Sequence, residues 1–155
     1  MALTFAASTF DDHDMDIIMQ INNKAMKDLF HDTKNTQVLF DSLDDVRNFL
    51  MGCLTVIVEF YETPIAYFRY YMVKTNTMKM CHLGPLAILP EYNTSDVNKL
   101  INSFVTYIAK NNNCKYILIE TIESNAELFI NDGYVEYAKH ISGNLPTVCL
   151  KKLIL

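Results

Sequence analysis

The sequence predicts a mixed α/β sandwich, a mostly antiparallel sheet flanked by helices, and three observations predict it. Three successive segments between Leu54 and Leu89 are dense in β-branched and aromatic residues and are separated by short turns. A helix-period segment, Val97 to Lys110, is followed by the short strand Tyr116-Ile117-Leu118-Ile119-Glu120, so a strand-helix-strand crossover is embedded in the sheet. A hairpin pattern closes the chain. The expected order is β-α-α-β-β-β-α-β-α-β-β in a single domain, residues 1–155.

Each element has its own warrant. Leu3 to Ser8 reads as a short first strand, and Thr9 to Asp12 offer helix-capping side chains. Met15, Ile18, Met19, Ala25, Met26 and Leu29 fall on one face at helical spacing, which predicts a first helix of about four turns. Ser42 and Asp45 imitate a capping box for a second, short helix whose apolar side is Val46, Phe49 and Leu50.

Thr55 to Tyr61 and Ile65 to Val73 form a hairpin about the turn Glu62-Thr63-Pro64, and a third strand runs from Met78 to Leu89. Val97, Leu100, Ile101, Phe104, Val105 and Ile108 give the third helix its apolar stripe, and the three asparagines at 111–113 end it. Tyr116 to Glu120 has the apolar run of a strand buried on both faces. Asn125 to Asn131 is a short helix stopping near Gly133, and Tyr134–His140 with Thr147–Leu153 make the last hairpin.

Composition excludes several classes of function. The 155 residues are half apolar and a fifth charged, enough to bury a sizeable core. A net charge of -5 argues against a general nucleic-acid or anionic-membrane partner, since neither phosphate surface attracts an acidic protein. No apolar run approaches the roughly 20 residues that span a bilayer. The first residues lack the basic start and apolar block of a signal peptide, so a cytoplasmic location is the expectation. Cys53, Cys81, Cys114 and Cys149 form no C-x-x-C pair and are expected as free thiols. His13, His31, His82 and His140 show no ligand spacing, so no metal site is expected.

The segment Leu83-Gly84-Pro85-Leu86-Ala87-Ile88-Leu89-Pro90-Glu91-Tyr92 runs as a strand into a Pro-Glu-Tyr turn, then the polar loop Asn93-Thr94-Ser95-Asp96-Val97-Asn98, then the amphipathic helix. Later, Glu123-Ser124-Asn125-Ala126-Glu127-Leu128-Phe129-Ile130-Asn131-Asp132-Gly133-Tyr134 follows a strand. Together these resemble the cofactor-binding core and second block of the GNAT superfamily of N-acetyltransferases, and the element order is the GNAT order over essentially the whole chain. The resemblance implies a GNAT-like α/β domain and acetyl-CoA as cofactor. Its pyrophosphate would be cradled at the start of the third helix (Asn93, Thr94, Ser95, Asp96, Val97, Asn98) and its pantetheine lined by Leu86 and Ile88. Asn125 belongs to the cofactor-binding residues of the second block.

The departures are specific. The family's Q/R-x-x-G-x-G/A places glycines where unpaired amides and the helix dipole hold a dianion. Here the defining positions fall on Asn93, Asp96 and Asn98, with no glycine and with a carboxylate where phosphate docks. Asp96 could neutralise the anion site from within. If it instead points to solvent, the Val97 and Asn98 amides remain for CoA. The tyrosine that protonates the departing thiolate in many members is Phe129 here, and Tyr134 stands at the family's inward-packing phenylalanine.

Glu120, at the end of a central strand, and His82 are the candidate general bases. Tyr67, Arg69, Tyr70 and Tyr71 form an aromatic hairpin that reads either as an acceptor-pocket wall or as an exposed or interface strand. Asp11, Asp12, Asp14 and Asp16 read either as an attraction for basic substrates or as dipole partners of the first helix.

Two functions fit these residues. One is a diverged acetyl-CoA-dependent N-acetyltransferase that transfers directly to a small-molecule amine or peptide amine. The other is a catalytically inactive GNAT-fold protein that binds a protein partner. A homodimer is left open in both, and the acceptor is not legible.

Overall fold

The computed structural model describes residues 2–30, 39–142 and 145–154; His31 and the side chain of Leu29 lie outside the described residues. The elements follow the expected order. They are β1 (Thr4–Ala7), α1 (Asp12–Phe30), α2 (Leu43–Leu50), β2 (Leu54–Phe60), β3 (Thr63–Lys74), β4 (Lys79–Ile88), α3 (Ser95–Asn111), β5 (Tyr116–Ile122), α4 (Ala126–Ile130), β6 (Val135–Ser142) and β7 (Leu145–Leu153). Single 3-10 turns occupy Pro90–Tyr92 and Glu123–Asn125.

The seven strands make one sheet in the order β1-β2-β3-β4-β5-β7-β6. β1 with β2, β5 with β7 and β6 with β7 are antiparallel, while β4 and β5 are parallel, joined through α3. The chain divides into two compact units, Met1–Arg69 with Leu86–Asn93, and Tyr70–Pro85 with Thr94–Leu155.

In the first unit, α1 and α2 bury Met15, Ile18, Ile21, Ala25, Val46 and Leu50 against Ile57, Tyr67, Ala87 and Leu89. Each aliphatic side chain so buried contributes roughly 1.5–3 kcal/mol over its exposed state. Tyr67 is fully buried, and its hydroxyl donates to Asn22 Oδ1 at 2.7 Å, so the one polar atom of a large core residue is satisfied. Burial pushes its phenol well above the ordinary tyrosine value.

Local chemistry shifts two boundaries from the expected ones. Tyr61 and Glu62 both take positive φ, 48° and 66°, giving a two-residue turn that matches the twist of the flanking strands. Thr63 and Pro64 therefore open β3 rather than form the turn. Ser42 caps α2 by accepting the Asp45 amide, but Asp45 accepts from the Asp41 amide rather than from Ser42, so the capping box is displaced by one residue.

In the second unit, α3 buries Val97, Ile101, Val105, Ile108 and Ala109, and β5 buries Ile117 and Ile119. Tyr116 and Leu118 stay half-exposed and Glu120 is exposed. β5 therefore alternates in burial, and the expectation of a strand covered on both faces is corrected. The asparagine run ends α3 as expected. The Asn112 amide bonds back to Ile108 O, and Asn113 takes the left-handed conformation that asparagine tolerates. After α4, Gly133 has φ 98°, and the Tyr134 amide bonds Phe129 O.

Candidate active site

Thr94 is the N-cap of α3, extended at φ -114° and ψ 163°, and its Oγ1 accepts the Val97 amide at 3.3 Å. The Asn98 amide donates to Thr94 O at 3.0 Å, and buried Asn98 adds its side-chain Nδ2 to the same oxygen at 2.8 Å. The Val97 and Asn98 amides, expected to remain for CoA if Asp96 points to solvent, are thus engaged inside the helix start. The Ser95 and Asp96 amides have no acceptor among the described residues.

Asp96 is exposed, and no hydrogen bond or ion pair reaches its carboxylate among the described residues, so it does not plug the site. Two free amides at a helix N-terminus suit a pyrophosphate, and one carboxylate beside them opposes it. Asn93 is exposed, and its amide bonds to Pro90 O in the preceding turn. Asn125 makes no capping hydrogen bond to α4.

The parallel pairing of β4 with β5 runs from Met80↔Tyr116 to Leu83↔Ile119 and stops. The cause is local. Gly84 takes φ 140°, which other residues avoid, and Pro85 has no amide to continue the ladder. β5 continues past this point through Glu120, Thr121 and Ile122, which pair with Cys149, Val148 and Thr147 of β7. The Gly-Pro pair inside a strand pattern was the sequence signal for this divergence. Leu86, half-buried, and Ile88, buried, continue β4 in the first unit.

The candidate bases have different partners. His82 pairs in register with Leu118, and its ring stacks on Tyr71 at 4.8 Å and 16°. Glu120 Oε1 lies 2.8 Å from His140 Nε2, and both side chains are a little over two-fifths exposed. His140 Nδ1 lies 3.9 Å from Cys149 Sγ. Glu120 and Cys149 are directly opposite in the β5–β7 register, and His140 is a diagonal neighbour on β6. A bulge between Glu136 and Ala138 falls at Tyr137, whose phenol is pushed up by burial first and then by Cys149 and Glu120. His140, Cys149 and Tyr137 were missed in the sequence because they meet only through the register of three strands and one extra residue.

Other expected groups have structural employment. Phe129 is 3% exposed and packs edge-on against Tyr134, ring centroids 5.6 Å apart, so it is core. Tyr134 is also buried, as an inward-packing residue should be, and its hydroxyl has no partner among the described residues. Burial first, then Asp132, pushes its phenol above the ordinary value. Tyr67, one of the four residues of the aromatic-hairpin reading, is buried rather than surface, while Arg69 lies over the Phe49 ring at 4.0 Å and donates to Phe49 O.

Of the acidic group, Asp11 accepts the Asp14 amide at 2.8 Å, Asp14 accepts the Thr9 amide, and Asp12 is paired with Arg47. Asp16 instead lines a pocket of about 190 Å³ in the first unit, with Gln20, Lys24, Pro64 and Leu89. The four cysteines are free thiols. No group of three His, Cys, Asp or Glu that could hold a metal occurs among the described residues.

The fold these elements build is that of the GNAT N-acetyltransferases. A GCN5-related N-acetyltransferase structure from Rhodopseudomonas palustris superposes with a TM-score of 0.74 at 16% identity, covering 99% of this chain and 98% of that one. An N-acetyltransferase from Staphylococcus aureus Mu50 gives 0.74 at 12% identity, covering 99% of each chain. A NatC complex bound to Gag peptide and CoA gives 0.70 at 16% identity, covering 100% of each. No protein-family model and no curated protein sequence matches the chain. Among the described residues, no helix is long and apolar enough to cross a membrane.

Proposed function

We propose that this protein is an acyl-CoA-dependent N-acyltransferase acting on an amine or peptide amine, with the Glu120–His140 pair as its base. The observation that carries the reading is where β4 leaves β5. Pairing ends at Leu83↔Ile119, and the next β5 residue is Glu120, exposed and bonded to an imidazole. An ammonium must lose a proton before its nitrogen can attack, and an imidazole oriented by a carboxylate is placed to accept it.

Bound acetyl-CoA would supply an acetyl thioester. The Ser95 and Asp96 amides would hold its pyrophosphate. Phe129 has no proton to give, so the leaving thiolate, with an ordinary value near 8.5, takes its proton from water. The CoA and peptide bound by the NatC neighbour support the ligand classes and do not choose the acceptor.

Calorimetry with acetyl-CoA, and acetyl transfer to a panel of amines and N-terminal peptides, test this reading. Binding with transfer that falls on Glu120→Gln is the expected result. No binding at millimolar ligand removes the reading. A second reading, a GNAT-fold binding protein without catalysis, is favoured by the buried Phe129 and the glycine-free helix start. Transfer to any amine, abolished by a substitution in the site, removes that one.

A further inference from the structure

We propose that Cys149 is a nucleophilic thiol, activated by His140 and positioned through Glu120, that accepts an acyl group from a small thioester. The inference deepens the acyltransferase reading and rests on it for the choice of a thioester as electrophile. The thiol, imidazole and carboxylate all lie in the second unit, and their arrangement does not depend on the helix start that would hold a nucleotide.

The geometry assigns each group a task. A carboxylate can only accept, so the 2.8 Å contact makes His140 Nε2 the donor to Glu120. In the neutral ring, Nδ1 then carries the lone pair and faces Cys149 Sγ at 3.9 Å. That distance is long for a hydrogen bond and within the looser range of nucleophile–base pairs in unliganded sites. The two ring nitrogens serve different partners, which is a relay and not a chelate.

Burial first, and the Glu120 carboxylate second, push the Cys149 thiol above its ordinary value, while the Tyr137 hydrogen bond pulls it down. The net direction is upward. Cys149 therefore rests as a thiol and reacts only when a base takes its proton during attack, and His140 stands where that base is needed. The side chains of Glu120 and His140 are 45% and 43% exposed, so a solute can reach the cluster.

The step balances without another reagent. His140 Nδ1 takes the thiol proton as Sγ bonds to the thioester carbonyl carbon. The carbon–sulfur bond of the donor then breaks, and the proton returns to the departing thiolate. The products are S-acyl-Cys149 and a free donor thiol. An amine attacking the S-acyl carbonyl gives an amide and regenerates the Cys149 thiol.

The full chain provides its own control, because Cys53 is a partly exposed free thiol with no side-chain partner among the described residues. The protein is incubated at neutral pH with the acetyl thioester of N-acetylcysteamine, which carries no nucleotide. Adducts are then followed at each cysteine by peptide mass spectrometry. Cys149 is expected to acetylate about 10²-fold faster than Cys53, and His140→Ala to remove that advantage.

Glu120→Gln, a positioning change, is expected to lower the limiting rate about tenfold while leaving the half-saturating thioester concentration unchanged. Cys149→Ser keeps the fold and abolishes the adduct. Equal rates at Cys149 and Cys53, or an undiminished rate in His140→Ala, overturn the proposal. An adduct at Cys149 without calorimetric CoA binding removes only the nucleotide-dependent part of the acyltransferase reading. CoA binding without an adduct removes only the thiol.

Discussion

Replacing Asp96 with asparagine separates the two roles that meet at the start of α3. Asp96 lies two residues inside the Thr94 cap and is exposed, with the free Ser95 and Asp96 amides beside it. Its exposure sets the scale, because the surrounding dielectric is close to that of water. Two phosphate charges at roughly 4–8 Å each repel the carboxylate by about 0.5–1 kcal/mol there, roughly 1.5 kcal/mol in sum. Asp96→Asn should therefore tighten acetyl-CoA binding about tenfold.

The same change removes a favourable acid from the first turn, so stability should fall by about 0.3–1 kcal/mol. Calorimetry at low ionic strength reads the first effect, and urea denaturation without ligand reads the second. At about 1 M salt the screening length shrinks to about 3 Å and the affinity gain should nearly vanish. Unchanged affinity in both salts would mean that no phosphate docks at these amides. Weaker binding would mean that Asp96 itself holds the ligand, and either result refutes the reasoning.

Thr94→Ala removes the acceptor of the Val97 amide and should lower stability by about 1 kcal/mol in urea; an unshifted midpoint would show that the cap contributes nothing. Phe129→Tyr should restore no acid catalysis, because the added hydroxyl is buried beside Tyr134, and should destabilise by about 1–3 kcal/mol. A faster acetyl transfer in that variant would place the ring at the leaving group after all.

The Asp11 carboxyl is held below its ordinary value, chiefly by the Asp14 amide and then by Thr9. A depressed folded value stabilises above the unfolded carboxylate value and is lost as pH falls through the folded one. Wild type should thus lead Asp11→Asn in urea midpoint at pH 6 and lose that lead below about pH 4. A lead constant across the series would sink the assignment.

Periodicity and turn chemistry made the element order legible. Apolar residues at helical spacing marked α1 and α3, and β-branched and aromatic runs marked β2 and β3. These are local properties, and neither needs knowledge of a partner segment. The divergence of β4 from β5 was half legible, since Gly84-Pro85 stood inside a strand pattern and its meaning depended on the neighbour. Burial was less so. Tyr67 read as a pocket wall or an exposed strand residue and is core, because which face of an element turns inward is set by packing against distant residues. Glu120 was legible as an acid of a central strand, though that strand runs two residues past the expected end, to Ile122. Its partners His140 and Cys149 were not, because a one-residue bulge sets which β6 side chains meet β7.

The sheet ends in β1 and β6, and neither end is a long, regular strand. β1 has four residues, and β6 is interrupted at Tyr137, with Lys139 two residues on. An outermost strand that is short or kinked offers few consecutive backbone groups in line, so a neighbouring molecule cannot zip onto it. That matters for a chain whose β6 exposes Val135 and Ile141, which on a straight border would invite fibril growth. The irregularity that gathers side chains around one sulfur also breaks the run of backbone groups along that border.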